Sequence, residues 1–437
     1  MSNEQKIEQV YSQAPTMPQS IEETGIGAGL VRTLIIKAMS VYGYNTATEI
    51  TAELKLSRII VNSLLEDAKD MALIEVLGIR GVGVKEELRY ALTGKGREWA
   101  AEALGQSTYV GPAPVSLVDF RAQVEKQRIG NEHIKTDALA HCFSGLVMDE
   151  DLVHRLGPAV NSGKSILIYG PPGNGKTSVA EAIAKAFEQT VYVPHCIEVD
   201  GQIIKVFDVT VHREITATAG SPGPGGASVP EGGGVDPRWV HCRRPVVITG
   251  GELTLAMLDL IFNPYSKYYE APMQLKASGG IFVIDDFGRQ LAAPQDVLNR
   301  WIIPLERGED YLTLHTGKKF PVPFDELVVF STNIPPAKLV DTATLRRIYY
   351  KIEVGAPTVE DYCTIFRSEC EKHNIDLPTD LLPFMFKEVY SDKNVPLARY
   401  HPRFLVEQVV AICEYEDVPP RIDEKLIKDA WQNLYTK

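Results

Sequence analysis

The spacing of apolar residues changes twice between Ser165 and Phe187, and the changes predict a strand, a loop and a helix. Residues 165–169 form an apolar run typical of a short buried β-strand. Residues 170–177 are rich in glycine and proline, and residues 178–187 then place alanine and apolar side chains at helical spacing. A glycine-rich loop between a strand and a helix predicts a phosphate-binding site, because backbone N–H groups and the helix dipole face the same anion.

The loop reads GPPGNGKTS and fits the spacing GxxxxGKT. Its glycines allow the backbone to turn N–H groups inward around phosphate oxygens. Lys176 is predicted to reach the β- and γ-phosphates, and the Thr177 hydroxyl to bind Mg²⁺. We therefore predict ATP and Mg²⁺ as cofactors, with nucleotide contacts from Gly170, Pro171, Pro172, Gly173, Asn174, Gly175, Lys176, Thr177 and Ser178.

Two later apolar runs end in polar residues that suit the same site. Residues 281–284 read as a buried parallel strand and lead directly into Asp285 and Asp286, while another apolar strand leads into Asn333. Asp285 is predicted to serve the Mg²⁺, directly or through water, and Asp286 to orient the attacking water. The Asn333 amide is predicted to contact the γ-phosphate or the water.

Apolar spacing in residues 23–107 predicts a separate N-terminal domain. Helices are expected near residues 30–39, 46–54 and 57–71 with Ser57 as an N-cap, followed by strands at 73–77 and 87–92 around a turn at 78–83, and by a fourth helix. Three helices followed by a β-hairpin resemble a winged helix, a fold that suggests DNA binding first.

The charges of this domain favour protein docking over DNA binding. Residues 27–106 contain ten Lys or Arg and ten Asp or Glu, so their net charge is zero. The third helix carries Glu66, Asp67 and Asp70 on its polar side, whereas a DNA reader needs several cations on one face. Composition alone does not decide, and DNA binding stays open as the alternative.

The remaining segments divide the chain further. Residues 1–22 are polar and are expected to be disordered, and proline-containing residues 108–130 to form a linker with a helix. A nucleotide-binding domain is expected over residues 131–355 and a helical lid over residues 356–437. The nucleotide-binding domain is predicted to contain a Gly/Pro-rich insertion at about 201–250, a second strand at 190–194, a helix from Leu253 and a hairpin around Thr316–Gly317.

The bulk composition is that of an ordinary globular protein. The chain has 437 residues, and its net charge of −12 argues against a dedicated nucleic-acid coat. Its six cysteines include no CxxC pair, which indicates reduced thiols and favours a cytoplasmic protein. No apolar stretch approaches the roughly 20 residues that a membrane-spanning helix needs.

Residues 131–437 resemble an AAA+ ATPase. The resemblance rests on GPPGNGKTS (Walker A), IFVIDD (Walker B), VVFSTN (sensor 1), TLRRI (arginine finger) and HPRFL (sensor 2), in family order. The hairpin before sensor 1 is similar to the pre-sensor-1 insertion clade, and the long insertion to MoxR-type and helix-2-insert members. The resemblance implies an α/β P-loop fold with a helical lid, and a ring, usually hexameric, with ATP between subunits.

The family also implies roles for individual residues. Asp286 takes the position of the base, Asn333 is sensor 1, Arg346 or Arg347 is the finger that enters a neighbouring site, and Arg403 is sensor 2. The family usually has Glu where this chain has Asp286, and the shorter side chain leaves slow hydrolysis open.

Three functions remain open at this stage. The first is an ATP-hydrolysing ring that remodels a protein client, recruited through the N-terminal domain and the insertion. The second is an ATP-dependent DNA-binding regulator or replication-type factor. The third is a scaffold whose assembly ATP controls with little turnover. The sequence favours the first.

Overall fold

The computed structural model describes residues 13–80, 86–215, 234–391 and 395–434, and its N-terminal unit is helical with one hairpin. The elements are α1 (Ala28–Tyr42), α2 (Ala47–Leu54), α3 (Arg58–Asp70), β1 (Ile74–Arg80), β2 (Glu87–Leu92) and α4 (Gly94–Gln106). The expected N-cap Ser57 accepts a hydrogen bond from the backbone N–H of Ile60. Strands β1 and β2 pair in antiparallel fashion, and the part of the predicted turn beyond Arg80 lies outside the described residues.

The segment that follows is packed, although a linker was expected over residues 108–130. It contains β3 (Val115–Ser116) and α5 (Leu117–Lys126). Tyr109 and Ala113 are buried in the core of the N-terminal unit, whereas Val115 and Phe120 are buried in another core. Apolar side chains at a few positions of a proline-containing stretch are enough to join it to both units.

Residues 13–22 also make contacts, although a disordered tail was expected to reach residue 22. Thr16 forms a β-bridge with Val235, and the backbone N–H of Met17 donates to the Gly234 carbonyl at 2.9 Å. The expected tail therefore ends earlier, and residues 1–12 lie outside the described part.

The strand of the phosphate loop comes next in the chain. Helices α6 (Thr136–Cys142) and α7 (Glu150–Asn161) precede β4 (Ile166–Tyr169), and α8 (Lys176–Ala186) follows the loop. Strand, loop and helix therefore lie where the sequence predicted them.

The chain between α8 and the Asp285 strand forms a run of short strands. It contains β5 (Thr190–Pro194), β6 (Cys196–Val199), β7 (Gln202–Lys205), β8 (Trp239–Arg243), β9 (Val246–Thr249), β10 (Ile261–Phe262), β11 (Tyr269–Glu270) and the short α9 (Met273–Lys276). The prediction of a helix from Leu253 is wrong, because only a 3₁₀ turn, Leu255–Leu258, forms there. Most of the predicted Gly/Pro loop, residues 216–233, lies outside the described residues.

The prediction that residues 190–194 form the second strand of the nucleotide-binding sheet is wrong in its location. This strand, β5, pairs antiparallel with β8 outside that sheet. The neighbour of the Asp285 strand is β9 instead. Both segments have strand-type apolar patterns, so spacing along the chain could not distinguish them. The segment from β5 to β8, which overlaps the predicted insertion at about 201–250, therefore lies outside the parallel sheet.

The remaining elements of the α/β core run from the Asp285 strand to residue 353. They are β12 (Ile281–Ile284), α10 (Pro294–Arg300), α11 (Ile302–Arg307), β13 (Glu309–Thr313), β14 (Lys319–Pro323), β15 (Leu327–Thr332), α12 (Pro336–Leu339), α13 (Thr342–Leu345) and β16 (Tyr350–Glu353). Strands β16, β4, β15, β12 and β9 form a five-stranded sheet in that order, and all of its pairs are parallel. Strands β12 and β15 in the middle of this sheet are buried throughout, which explains their continuous apolar runs, whereas the edge strand β9 alternates exposed and buried residues.

Strands β13 and β14 form the expected hairpin around Thr316–Gly317. Its inward side chains, including Leu312, Phe320 and Val322, are buried in the same core as β6 and β7. At the tip, the Lys318 ammonium lies 2.5 Å from the Asp200 carboxylate in the β6–β7 turn. The hairpin is therefore packed against the insertion.

The C-terminal unit is helical, as predicted. It contains α14 (Val359–Lys372), α15 (Leu381–Phe384), α16 (Tyr400–Tyr415) and α17 (Glu424–Gln432), and a π-helical turn continues α15 over Met385–Ser391. The Tyr362 and Tyr390 hydroxyl oxygens lie 2.6 Å apart inside this unit. Residues 392–394 and 435–437 lie outside the described part. Among the described residues, no helix is long and apolar enough to cross a membrane.

Candidate nucleotide-binding site

The phosphate loop begins at the carboxyl end of β4 and leads into α8. Gly170 has φ +148°, and a Cβ placed there would lie 2.2 Å from the Val354 carbonyl oxygen. Gly175 has φ +83° and precedes the first residue of α8. These backbone conformations disfavour larger residues, so the glycines that the motif requires have a local structural reason.

Lys176 is buried at the start of α8 with its ammonium turned back into the loop. Its Nζ donates to the Gly170 carbonyl at 3.1 Å, to the Pro171 carbonyl at 2.9 Å and to Asn333 Oδ1 at 2.6 Å. Burial lowers the pKa of Lys176, while the carboxylates of Asp285 and Asp286 act in the opposite direction. A phosphate group that reaches this ammonium would replace some of these acceptors.

The Asn333 side chain connects Lys176 to the carboxylate predicted as the base. Its Oδ1 accepts from Lys176, and its Nδ2 donates to Asp286 Oδ1 at 2.9 Å. Asn333 follows β15, which lies between β4 and β12 in the sheet. The carboxyl ends of these three strands thus bring the three predicted side chains together.

Thr177 and Asp285 form the second polar contact of the site. The Thr177 hydroxyl donates to Asp285 Oδ2 at 2.8 Å. A hydroxyl and a carboxylate at this distance are oxygen donors of the kind that Mg²⁺ takes together with phosphate oxygens and water.

Asp286 lies in the left-handed region of the backbone, with φ +48°. Asp and Asn adopt this conformation more readily than longer or branched residues, because their short polar side chains bond locally. The local backbone therefore gives a reason for Asp at a position where Glu was expected from the resemblance.

A cavity of about 330 Å³ lies beside the loop and is bounded by three separate parts of the chain. Gly145–Met148 form one wall, Gly173–Gly175 with Ser178 the second, and residues of α14 and α16 the third. Arg403 lies at the rim, with its side chain 71% exposed and its Nε 2.7 Å from Glu407 Oε1. Its predicted role as a sensor stays a prediction.

The two candidate finger arginines follow α13 and differ in their surroundings. Arg347 donates from Nε to Glu306 Oε1 at 3.0 Å and from Nη1 to the Ala343 carbonyl at 3.1 Å. Arg346 is exposed. Within the described ranges, neither arginine forms a hydrogen bond or ion pair with Lys176 or Asp286.

Sequence reasoning missed the two residues that join the lid to the phosphate loop, Arg399 and Tyr400. The backbone N–H of Arg399 donates to Asn174 Oδ1 at 3.1 Å, and that of Tyr400 donates to the Gly173 carbonyl at 3.0 Å. Neither residue belongs to a recognised motif. Their position one helical turn before Arg403 is the one signal that could have found them.

The residues present fit ATP and Mg²⁺. The loop offers a backbone cradle shaped by glycine, a buried ammonium stands at its end, and a hydroxyl–carboxylate pair offers oxygen ligands. The cavity next to the loop has the size class of small-molecule sites. Bound Mg²⁺ would supply charge neutralisation for the phosphates, and Thr177 with Asp285 would hold it.

Two parts of the chain match known families. Residues 166–219 match the ATPase family associated with various cellular activities (AAA). The match covers the phosphate loop and ends before the Asp285 strand. Residues 358–433 match a domain of unknown function, DUF8689, which corresponds to the helical C-terminal unit. No curated protein matches the chain.

Solved structures with similar folds are distant. The Holliday junction branch migration motor RuvB of Thermotoga maritima is 13% identical, with 66% of this chain and 70% of that chain covered and a TM-score of 0.37. Domain III of the replication initiation protein DnaA of T. maritima is 14% identical, covering 68% and 97%, with a TM-score of 0.37. NtrX of Brucella abortus is 14% identical, covering 73% and 59%, with a TM-score of 0.39. Scores this low carry no argument about function.

Proposed function

We propose that this protein is an AAA+ ATPase that binds ATP with Mg²⁺ and hydrolyses it to remodel a protein client. The observation that carries the proposal is the convergence of Lys176, Thr177, Asp285, Asp286 and Asn333 at one edge of the parallel sheet. The AAA match over residues 166–219 supports the nucleotide class. In this scheme Lys176 holds phosphate, Thr177 and Asp285 hold Mg²⁺, and Asp286 orients the water with Asn333 beside it.

We assign the chain to the pre-sensor-1 hairpin clade, of MoxR-like or helix-2-insert type. The support is positional: the β13–β14 hairpin directly precedes β15, and the insertion follows α8. The order of the elements likewise supports the proposed domain limits, with residues 23–107 as a winged helix and residues 356–437 as a lid.

We place the protein in the cytoplasm.

The proposed assembly is a homo-oligomeric ring, in the family's usual hexameric form, with ATP between subunits. The exposure of Arg346 supports a ring, because an exposed arginine of the nucleotide-binding domain is available to the site of a neighbouring subunit. The mass of the protein under ATP, measured by light scattering, tests for a ring.

We propose a protein client rather than DNA for the N-terminal unit, on the basis of its surface. Ile59 of α3 and Leu77, Ile79 and Leu88 of the hairpin are exposed apolar residues. Arg58, a cation at the start of α3, is paired with Glu87 at 3.0 Å. Apolar side chains on the helix and wing suit a protein surface better than a phosphate backbone.

For the DNA alternative, we expect the full-length protein to show no tight duplex binding through this unit. A labelled duplex is titrated at low salt and again at raised salt, with the Arg58→Ala protein as a comparison. Because the unit has no excess of cations, we expect binding no tighter than the non-specific range of about 10⁻⁴–10⁻⁶ M, unchanged by Arg58→Ala. Nanomolar binding that falls steeply with salt and weakens in Arg58→Ala would favour the DNA-binding function instead.

Asp286→Asn is expected to retain ATP but to lose turnover. Asn keeps an oxygen that can accept from the Asn333 amide and tolerates the left-handed backbone, so the site should keep its shape. Loss of the base should slow hydrolysis by about 10²–10⁴-fold. ATP binding by fluorescence and phosphate release are measured side by side on both proteins.

This comparison also tests the scaffold alternative. A wild-type rate no faster than that of a protein-free control would favour the scaffold alternative, in which ATP controls assembly with little turnover. A variant that hydrolyses ATP at the wild-type rate would show that Asp286 is not the base. The Asp286→Asn protein, if it holds ATP, also serves to retain the client for identification.

A further inference from the structure

We propose that Arg399 and Tyr400 position the phosphate loop and the lid for the nucleotide. These two residues together are called the latch. The inference rests on the proposed function, since the loop is assigned there to ATP. It adds two positioning residues that none of the nucleotide motifs contains.

The latch makes two backbone hydrogen bonds to consecutive residues of the loop. The N–H of Tyr400 donates to the Gly173 carbonyl at 3.0 Å, and the N–H of Arg399 donates to Asn174 Oδ1 at 3.1 Å. Both bonds use acceptors of the loop. A phosphate group needs donors, so the latch and the nucleotide do not compete for the same loop atoms.

The Tyr400 ring lies directly on Gly173. A Cβ placed on Gly173 would lie 2.1 Å from ring atom Cδ1, so a side chain at that position could not coexist with this ring. Gly173 therefore has two reasons to be glycine: its φ of +75° and the closeness of the lid. The ring fixes the distance between the loop and the start of α16.

The Arg399 side chain extends the latch to the far wall of the cavity. Its Nε donates to the Val147 carbonyl at 3.3 Å, and its Nη1 donates to the Gly355 carbonyl at 2.6 Å. Val147 belongs to the Gly145–Met148 wall, and Gly355 lies in the connection between β16 and α14. Arg399 as a whole thus contacts all three parts of the chain that bound the cavity: Val147 through its Nε, Asn174 through its backbone N–H, and Asp361 of α14 through its Nη2, which lies 3.9 Å from Oδ2.

Asn174 has a different role from the one that its motif position suggests. The Oδ1 of the buried Asn174 amide accepts a hydrogen bond from the Arg399 backbone N–H, so the side chain contacts the lid. The latch consequently places Arg403 as well, since Arg403 lies one turn along α16 at the cavity rim. Loss of the latch should loosen the loop and lower nucleotide affinity together.

The test compares Tyr400→Ala and Asn174→Ala with the conservative Tyr400→Phe. The control is Tyr415→Ala, which removes a 92% exposed ring from the last residue of the same helix. Two readouts are used on full-length protein: affinity for a fluorescent ATP analogue, and amide hydrogen exchange without nucleotide. The rate of amide hydrogen exchange reports how readily the loop opens, and it can be measured without enzyme activity.

We expect Tyr400→Ala to lower the affinity for the ATP analogue by about fivefold, which is the size of effect of one aromatic contact. Amide hydrogen exchange within residues 170–177 should become faster. Tyr415→Ala should match wild type, and Tyr400→Phe, which keeps the ring on Gly173, should stay closer to wild type than Tyr400→Ala. Asn174→Ala should resemble Tyr400→Ala, and the double variant should show less than the sum of both effects, because the two contacts are adjacent and hold the same part of the loop.

Unchanged affinity and unchanged loop exchange in Tyr400→Ala would overturn the latch. Faster exchange spread over the whole C-terminal unit would overturn it too, because that pattern reports a loosened fold. If the wild-type protein binds no ATP analogue, the proposed function fails, whereas the exchange measurement still decides whether the latch holds the loop.

Discussion

Replacement of Lys176 by alanine is expected to abolish tight ATP binding. The ammonium is buried at the end of the loop and has three oxygen acceptors, so it stands where phosphate oxygens would arrive. Loss of a charge-assisted contact of this kind should cost roughly 1.5–3 kcal/mol, or about tenfold or more in affinity. Titration with a fluorescent ATP analogue measures the effect.

The matched control is Lys185→Ala, the same substitution near the other end of α8 at an exposed position. It removes one positive charge from the same helix without touching the loop. An equal loss of ATP affinity in both variants would indicate a general effect of charge. An affinity of Lys176→Ala within about twofold of wild type would contradict the phosphate role, since loss of a charged contact costs more.

The sequence predicted the parts of the site that depend on short stretches of chain. Strand, loop and helix around Lys176 follow from local spacing, and Asp285, Asp286 and Asn333 each end an apolar run. Parallel strands gather their carboxyl ends at one edge, so these local predictions were sufficient to predict that the residues meet.

The parts that depend on distant partners could not be predicted in the same way. Strand β5 was placed in the wrong sheet because its partner β8 lies beyond a long loop, and pairing choice leaves no mark on apolar spacing. The expected linker carries buried residues such as Val115, whose partners are equally distant. The hydrogen bonds that Arg399 and Tyr400 make to the loop come from backbone N–H groups, which any non-proline residue possesses, so residue type does not mark these two bonds in the sequence.

The β13–β14 hairpin connects the proposed nucleotide site to other parts of the protein through packed side chains. The hairpin leads directly into β15 and Asn333, and its side chains share a core with the insertion. Tyr109 and Ala113 in turn share a core with Cys196 and Ile203 of the insertion. The hairpin next to the Asn333 strand is therefore joined to the N-terminal unit through residues that pack against one another.

Arg346 is the residue that we expect to complete the site of a neighbouring subunit. Arg347 is held within its own subunit by Glu306 and the Ala343 carbonyl, whereas Arg346 is exposed. A cation supplied in this way stabilises charge on the transferred phosphate and is worth on the order of 10³-fold or more in turnover. Arg346→Ala should therefore retain ATP binding and lose turnover, while Arg347→Ala, as the matched control, should lose much less.

Mixing two inactive proteins decides whether the arginine acts between subunits. Lys176→Ala lacks the phosphate contact, and Arg346→Ala lacks the cation, so each ring alone should be inactive. A mixed ring contains some interfaces with an intact loop on one side and an intact Arg346 on the other, and these should recover hydrolysis. Phosphate release is measured as a function of the mixing ratio, with subunit exchange followed by two fluorescent labels. If labelled subunits mix and no activity returns, Arg346 works within its own chain or only supports the fold, because an intact pair of sites would then be insufficient.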